Sequence, residues 1–185
     1  MDVMEIRRRA REHIDEGAVT SSYGCDRDTV IKLLNEALAT ELVCTLRYKR
    51  HYFMAQGIHS ASVAEEFLEH ANEEAQHADL LAERIVQLGG EPNFNPIGIA
   101  ERSHAEYVEG TDLIDMIQED LVAERIAIDS YRAMALYFGE GDSTSRRVIE
   151  QILAVEEEHA EDMLSLLQQV DVEQKQIQQI SKKAS

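Results

Sequence analysis

Two short stretches decide the fold of this chain: Glu74-Ala75-Gln76-His77 and Glu156-Glu157-Glu158-His159. Each holds a glutamate followed three residues later by a histidine, a spacing that puts both side chains on one face of a helix. A lone glutamate precedes each stretch, Glu41 by 33 residues and Glu124 by 32 residues. Four glutamates and two histidines in this near-repeated spacing predict a dinuclear metal site inside a four-helix bundle.

The apolar periodicity around these residues predicts four helices, each with one buried stripe of residues three and four apart. The six ionisable residues fall in phase with the stripes, where they would be costly to bury without partners. Two divalent cations would offset that charge. The predicted stripes are Leu34, Ala37, Glu41, Cys44 and Tyr48; Val63, Phe67, His70, Glu74, His77, Leu81, Arg84 and Leu88; Leu113, Ile117, Asp120, Glu124, Ala127, Tyr131, Met134 and Phe138; and Ile149, Ile152, Glu156, His159, Met163, Leu166 and Val170.

Capping residues and glycines predict where the four helices begin and end. Residues 91–110 are too long for a loop between neighbouring antiparallel helices, which is roughly two to eight residues, so they predict a crossover between the second and third helices. We therefore expect an all-α, ferritin-like four-helix bundle at 26–170, an N-terminal extension at 1–25 and a short helix or tail at 171–185. The expected bounds are Asp26 or Asp28 to about Ala55; the capping box Ser62-Val63-Ala64-Glu65 to Gly89-Gly90; Thr111-Asp112 to Phe138-Gly139; and Asp142 or Ser143 to about Val170.

Composition excludes several classes of protein. The net charge of −18 argues against a nucleic-acid partner, because a phosphate backbone favours Lys and Arg. No apolar run approaches the roughly 18 residues of a transmembrane helix, and the N-terminus lacks the apolar core of a signal peptide. Cys25 and Cys44 form no C-x-x-C pair, which fits a reducing cytoplasm and excludes a rubredoxin-type iron centre.

The chain also contains an internal repeat. Glu41 and Tyr48 are spaced like Glu124 and Tyr131, and both Glu-x-x-His motifs are followed by alanine. Two helix pairs with one pattern predict the halves of a pseudo-symmetric bundle. A single Glu-x-x-His is more often a solvated surface pair, but two copies with matching glutamates favour a metal centre.

These residues resemble the ferritin-like superfamily, and most closely bacterioferritin, over residues 26–170. The resemblance rests on Leu38-Ala39-Thr40-Glu41-Leu42 with Tyr48, Glu73-Glu74-Ala75-Gln76-His77-Ala78-Asp79, Ala123-Glu124-Arg125 and Glu156-Glu157-Glu158-His159. It implies a ferroxidase centre of two Fe ions per subunit. Glu41, Glu74 and His77 would bind one iron and Glu124, Glu156 and His159 the other, with Glu74 and Glu156 bridging.

The resemblance also implies a hollow homo-oligomeric cage that stores ferric oxide-hydroxide, with twenty-four subunits expected and twelve allowed. One departure concerns haem. Haem-containing bacterioferritins carry a methionine directly after the glutamate of the first motif, and this chain has Ala75 there. We therefore expect no haem; Met54 is a substitute ligand only in principle, and core or interface packing is the favoured interpretation.

Residues beside the predicted ligands suggest further roles. Asp120 is expected to accept a hydrogen bond from a ligating histidine, or else to be a capping or surface carboxylate. Tyr48 and Tyr131 are expected to bond the bridging carboxylates or donate an electron, or to be core tyrosines.

Four other positions have a structural interpretation and a functional one. Cys44 faces the centre, either as core packing or as a redox group. His70 is either a packed residue or a residue on the path of incoming iron. Glu69 and Glu73 are either part of a solvated face or iron ligands on the inner wall of a cage.

The function expected from this pattern is a cytoplasmic iron-storage ferroxidase that oxidises Fe(II) with O2 or H2O2. A rubrerythrin-like peroxidase or oxidase without storage is one alternative. A Dps-like mini-ferritin for peroxide protection is another, although ordinary Dps proteins place their centre between subunits. A purely structural bundle is the third, and manganese or zinc could occupy the same ligands. We expect no membrane partner.

Overall fold

The structure is a computed structural model that describes residues 2–56 and 60–183. All regular secondary structure in those ranges is helical, so the predicted all-α class is confirmed. The elements are α1 Val3–Arg9, a 3-10 helix Ile14–Glu16, α2 Arg27–Met54, α3 Ser60–Gln87, α4 Ile99–Arg102, α5 Leu113–Phe138 and α6 Ser143–Lys183. The four long helices, α2, α3, α5 and α6, form the bundle.

Side-chain caps begin two of the bundle helices where the sequence predicts them. The Asp112 carboxylate accepts hydrogen bonds from the backbone N–H groups of Ile114 and Asp115, both at 3.0 Å. The Asp142 carboxylate accepts the backbone N–H of Ser145 at 2.9 Å. Each cap satisfies N–H groups that a helix leaves without an internal partner.

Two predicted helix bounds are wrong. Helix α3 begins at Ser60, so the expected capping box at 62–65 lies inside the helix instead of opening it. Helix α6 does not end near Val170 but continues to Lys183. Residues 171–183 contain neither glycine nor proline, so nothing in their backbone chemistry stops the helix. The division into an extension at 1–25, a bundle at 26–170 and a tail at 171–185 stays a prediction.

The predicted stripes face the interior, and all their residues are buried except Leu113 and Leu166, which are half-buried. Apolar side chains form two main clusters along the bundle. One contains Leu34, Leu81 and Phe138, and the other contains Phe67 and Met163. The six predicted ligands occupy stripe positions between them. Within the described part of the chain, no helix is both long and apolar enough to cross a bilayer.

The connection between α3 and α5 is the predicted crossover. It runs along α2 from Asn35 to His51 through hydrogen bonds, and the short helix α4 lies within it. This path explains why the connection needs so many residues. Its hydrogen bonds with α2 include Asn35 with Glu91, Thr40 with His104, and Arg50 with Glu109.

Candidate metal centre

The bundle brings the six predicted ligands together, with every helix contributing at least one. All six are buried. They form two overlapping groups of four, and within each group one ligand atom per residue lies within 4.8 Å of the others. Glu74 and Glu156 belong to both groups. The groups are Glu41, Glu74, His77 and Glu156; and Glu74, Glu124, Glu156 and His159.

Both histidines direct Nδ1 toward the carboxylates. Nδ1 of His77 lies 3.3 Å from Glu41 Oε2, 3.4 Å from Glu74 Oε2 and 3.0 Å from Glu156 Oε1. Nδ1 of His159 lies 3.7 Å from Glu74 Oε1 and 3.6 Å from Glu156 Oε2. Each imidazole therefore contacts both shared glutamates, as a nitrogen ligand beside two bridging carboxylates would.

The donor set fits divalent cations. Among the described residues, five buried atoms of this centre make no well-aligned hydrogen bond, although His77 Nδ1 lies 3.0 Å from Glu156 Oε1: Glu74 Oε1, Glu124 Oε2, both carboxylate oxygens of Glu156, and His159 Nδ1. Buried polar atoms are nearly always paired, and unpaired ones carry a desolvation cost. Carboxylate oxygens with one imidazole per group suit Fe(II), Mn(II) or Zn(II). The identity of these six as metal ligands stays a prediction.

The two tyrosines bind carboxylates other than the expected ones. Tyr48 on α2 donates its hydroxyl proton to Glu124 on α5, and Tyr131 on α5 donates to Glu41 on α2. The bridging candidates Glu74 and Glu156 accept from neither. Each tyrosine lies two turns past its own helix's glutamate, and its hydroxyl reaches the glutamate of the other helix. The reciprocal pair supports the predicted pseudo-symmetry.

Asp120 does not orient a predicted ligand, so that prediction is wrong. Its carboxylate accepts Arg47 Nε at 2.8 Å and contacts His51 Nδ1 at 2.7 Å. Both partners lie on α2, one and two turns past Cys44 toward the C-terminal end of that helix. Placement one turn before Glu124 puts Asp120 on the correct stripe but not at the level of the histidines.

Glu73 is the carboxylate that contacts a predicted ligand histidine. Its Oε2 lies 2.7 Å from His159 Nε2, so Nε2–H can donate to Glu73 while Nδ1 faces the centre. This arrangement fixes the imidazole tautomer and orientation. The sequence interpretation favoured a solvated face for Glu73. The matching position before Glu156 is Val155, so the internal repeat offered no second copy as a signal.

Cys44 is buried against Arg47, with Sγ 3.8 Å from Nη2. Burial raises the pKa of its thiol well above the usual value, and the charges of Glu74 and Glu124 raise it further although Arg47 opposes them. The residue is therefore a thiol and not a nucleophilic thiolate at neutral pH, which favours the packing interpretation.

Without metal, burial and neighbouring charges favour the protonated forms of several residues in this centre. Burial, reinforced by the charge of Glu74, raises the pKa of Glu41 to about 8. Burial and the charges of Glu74 and Glu156 raise the pKa of Glu124 as well. Burial alone would lower the pKa of His159, but the carboxylates of Glu156 and Glu74 outweigh it and raise the pKa to about 12. Cation binding must therefore release protons.

We expect the metal-free protein to lose stability as the pH rises from about 7 to about 9. Glu41 has a folded-state pKa of about 8 against an ordinary 4.5, so the folded state holds more protons across that interval. The raised pKa of His159 acts in the same direction above its ordinary 6.5. Three lowered pKa values have the opposite effect. That of Glu74 acts only below about 4.5, and those of His70, which burial lowers to about 3, and His104 act only below their ordinary 6.5.

Thermal unfolding in chelator across this pH range measures the slope. The Glu41→Gln variant removes one titrating group and should flatten the dependence. Saturating Zn(II) should also flatten it, because the bound cation replaces the protons. A melting temperature that stays constant or rises between pH 7 and 9 would contradict the assignment of bound protons.

The chain is similar to known proteins along most of its length. A family model of the ferritin-like domain matches residues 31–172. A bacterioferritin from Mycobacterium avium is 31% identical over 160 residues, which cover 84% of this chain and 96% of that protein. A nutrient stress-induced DNA-binding protein from a Synechococcus species is 33% identical over 130 residues, 69% of this chain and 74% of that protein.

The likeness extends to solved structures. A dodecameric thioferritin, the bacterioferritin-related protein of Bacteroides fragilis, superposes with a TM-score of 0.80 at 32% identity. The match covers 83% of this chain and 92% of the Bacteroides chain. The sequence matches and the structural match therefore both point to ferritin-like proteins related to bacterioferritin.

Proposed function

The chain belongs to the ferritin-like family and is a relative of the bacterioferritins; from that premise we propose that it is an iron-storage ferroxidase. Fe(II) binds at the six-residue centre, is oxidised by O2 or H2O2, and passes as Fe(III) to a mineral store inside a homo-oligomeric cage. The observation that carries the proposal is the pair of four-residue groups sharing Glu74 and Glu156. Two cations held by shared carboxylates can be oxidised together.

The chemistry needs two one-electron donors beside one two-electron acceptor. Two Fe(II) ions each lose one electron, and H2O2 takes up both electrons and two protons to give two waters. With O2 as the acceptor, two electrons and two protons give H2O2. Groups that hold protons in the metal-free centre, such as Glu41 and Glu124, release them when Fe(II) binds.

The protein's own side chains hold the centre in shape. Tyr48 and Tyr131 restrain the two carboxylates, Glu124 and Glu41, that belong to one group each. Glu74 and Glu156 remain without such restraint and are placed to span both cations. Apolar clusters along the bundle exclude bulk water, which strengthens the electrostatic interactions of the bound cations.

The storage part of the proposal is tested by native mass and iron content after aerobic loading with Fe(II). Twelve chains of 20.9 kDa form a particle of about 250 kDa, and twenty-four form one of about 500 kDa. Retention of many irons per subunit supports storage in a cage. A ceiling near two irons per subunit would contradict storage and favour a rubrerythrin-like oxidase or peroxidase.

A Dps-like role in peroxide protection is the second candidate. The dodecameric Bacteroides relative and the Synechococcus DNA-binding relative favour it, whereas the net charge of −18 opposes direct DNA binding. Initial rates of Fe(II) oxidation with H2O2 and with O2 distinguish the two candidates. A strong preference for H2O2 in a 12-subunit particle would favour peroxide protection; comparable rates with both oxidants would favour storage. A cytoplasmic location is part of either proposal.

We also propose that the protein functions without haem. The position after Glu74 is Ala75, which has no ligand atom, and Met54 is exposed at the end of α2. Purification in the presence of added haem should yield protein without a Soret band. A stoichiometric Soret band that Met54→Leu abolishes would contradict this.

The Glu73→Gln variant should weaken cation binding in the group that contains His159 by about 10–100-fold. Loss of the carboxylate removes the acceptor that orients the imidazole and makes Nδ1 more basic. Co(II) titration of the metal-free protein measures the change. The matched control is Glu69→Gln, which alters an exposed carboxylate one turn away on the same helix. Equal affinities in the two variants would contradict the orienting role of Glu73.

A further inference from the structure

A third group of metal-binding side chains lies beside the dinuclear centre. His70 and Glu66 lie one turn apart on α3, and Asp162 lies on α6. Nε2 of His70 is 3.4 Å from Glu66 Oε1 and 3.8 Å from Asp162 Oδ2, and the three ligand atoms all fall within 4.8 Å of one another. We infer that Glu66, His70 and Asp162 form a mononuclear site for a divalent transition-metal cation, distinct from the six-residue centre.

The hydrogen bonds of His70 determine which of its nitrogens can bind a metal. Tyr48 donates its hydroxyl proton to Glu124, so the Tyr48 oxygen can accept from His70 Nδ1, which lies 3.2 Å away. With the proton on Nδ1, the lone pair of Nε2 faces the two carboxylates. A lone pair directed at carboxylate oxygens is repelled unless a cation lies between them.

The exposure of the three side chains decreases from the protein surface to the interior. The His70 side chain is 2% exposed, whereas the side chains of Glu66 and Asp162 are 32% and 44% exposed. A cation can therefore be captured by the carboxylates and completed by the buried imidazole. One nitrogen and two carboxylate oxygens suit Fe(II), Zn(II) or Co(II) better than Ca(II) or Mg(II), which prefer oxygen alone.

The surrounding charge also favours a cation. Three further carboxylates, those of Asp162, Glu69 and Glu73, lie close enough to Glu66 to repel its negative charge. The group is thus short of positive charge, which a divalent ion would supply.

The group is directly connected to the dinuclear centre. The imidazole of His70 stacks on that of His159, with ring centroids 3.9 Å apart and planes inclined by 19°. Ligand atoms of His70, Glu124 and His159 also lie within 4.8 Å of one another. On the proposed function, on which this step rests, the third site holds Fe(II) before it reaches the centre.

The site is tested by Co(II) titration of the full-length, metal-free protein. Wild type should bind three Co(II) per subunit, and the double variant Glu66→Gln/Asp162→Asn should bind two. His70 is left intact because it contacts Tyr48 and His159. The matched control Glu161→Gln, an exposed carboxylate next to Asp162, should bind three. Two Co(II) in wild type, or three in the double variant, would overturn the proposal.

The role in iron transfer has a separate readout. At low Fe(II) concentration the double variant should oxidise iron several-fold more slowly than wild type, with the difference shrinking at saturating Fe(II). Equal rates at every Fe(II) concentration would overturn the transfer role. The Co(II) count does not depend on oxidation, so a wild-type protein that binds three Co(II) but oxidises no iron would contradict the ferroxidase function and still support the third site.

Discussion

The Glu156→Ala variant will lose both cations of the dinuclear centre and the rapid oxidation of Fe(II) with them. Glu156 belongs to both four-residue groups, and neither of its buried carboxylate oxygens makes a well-aligned hydrogen bond among the described residues. Its loss therefore removes a shared ligand and leaves both cations with an incomplete set. We expect the oxidation rate to fall at least 100-fold, about 2.7 kcal/mol in the barrier. Stopped-flow absorbance after Fe(II) addition measures the rate.

The same variant should still fold in the absence of metal, but with a lower free energy of unfolding than wild type. Nδ1 of His77 lies 3.0 Å from Glu156 Oε1 and Nδ1 of His159 lies 3.6 Å from Glu156 Oε2, so truncation removes a buried counter-charge of both imidazoles and leaves a small cavity. The exposed neighbour Glu158→Ala is the control and should keep both cations and the wild-type rate. If Glu156→Ala, Glu41→Ala and His159→Ala all left metal binding and oxidation unchanged, the bundle would be purely structural.

The Asp120→Ala variant will destabilise the fold by about 3–5 kcal/mol. The guanidinium of Arg47 is 1% exposed and pairs with Asp120, so truncation leaves a buried positive charge without its partner. Arg47 also donates to the carbonyl of Glu106 at 2.9 Å, and His51 lies 3.2 Å from the carbonyl of Val108. The network therefore ties the crossover connection to α2. Chemical denaturation of the metal-free protein measures the loss.

A double variant distinguishes a broken ion pair from a lost contact. Arg47→Met/Asp120→Leu removes both charges and should recover most of the stability, because isosteric apolar pairs often replace buried ion pairs at little cost. The neighbouring carboxylate variant Glu119→Ala should cost less than about 1 kcal/mol. A loss below 1 kcal/mol in Asp120→Ala would contradict a buried charge pair. Folded Asp120→Ala should still bind two cations at the dinuclear centre.

The sequence alone was enough to predict the helical bundle, its crossover and the convergence of six residues. Helical periodicity is a local property that can be read from the sequence. Burying Glu41, Glu74 and Glu156 on otherwise apolar stripes carries a large desolvation cost unless cations bind beside them. The number of residues between Gly90 and Thr111 likewise excluded a short loop joining the second and third helices as an antiparallel hairpin. Helix ends were predicted less well. Several residues before 62–65 can start a helix on nearly equal terms. After Val170 the apolar residues become sparse, but no glycine or proline ends the helix.

Only the tertiary structure decided which side chains meet across helices. Tyr48 binds Glu124, Asp120 binds Arg47, and Glu73 contacts His159, and each of these pairs joins two helices. Such pairs depend on the axial offset and rotation of one helix against another, and that offset is set by packing of the whole core. The periodicity of the sequence determines the buried face of each helix. It does not determine the axial position at which that face packs against the neighbouring helix.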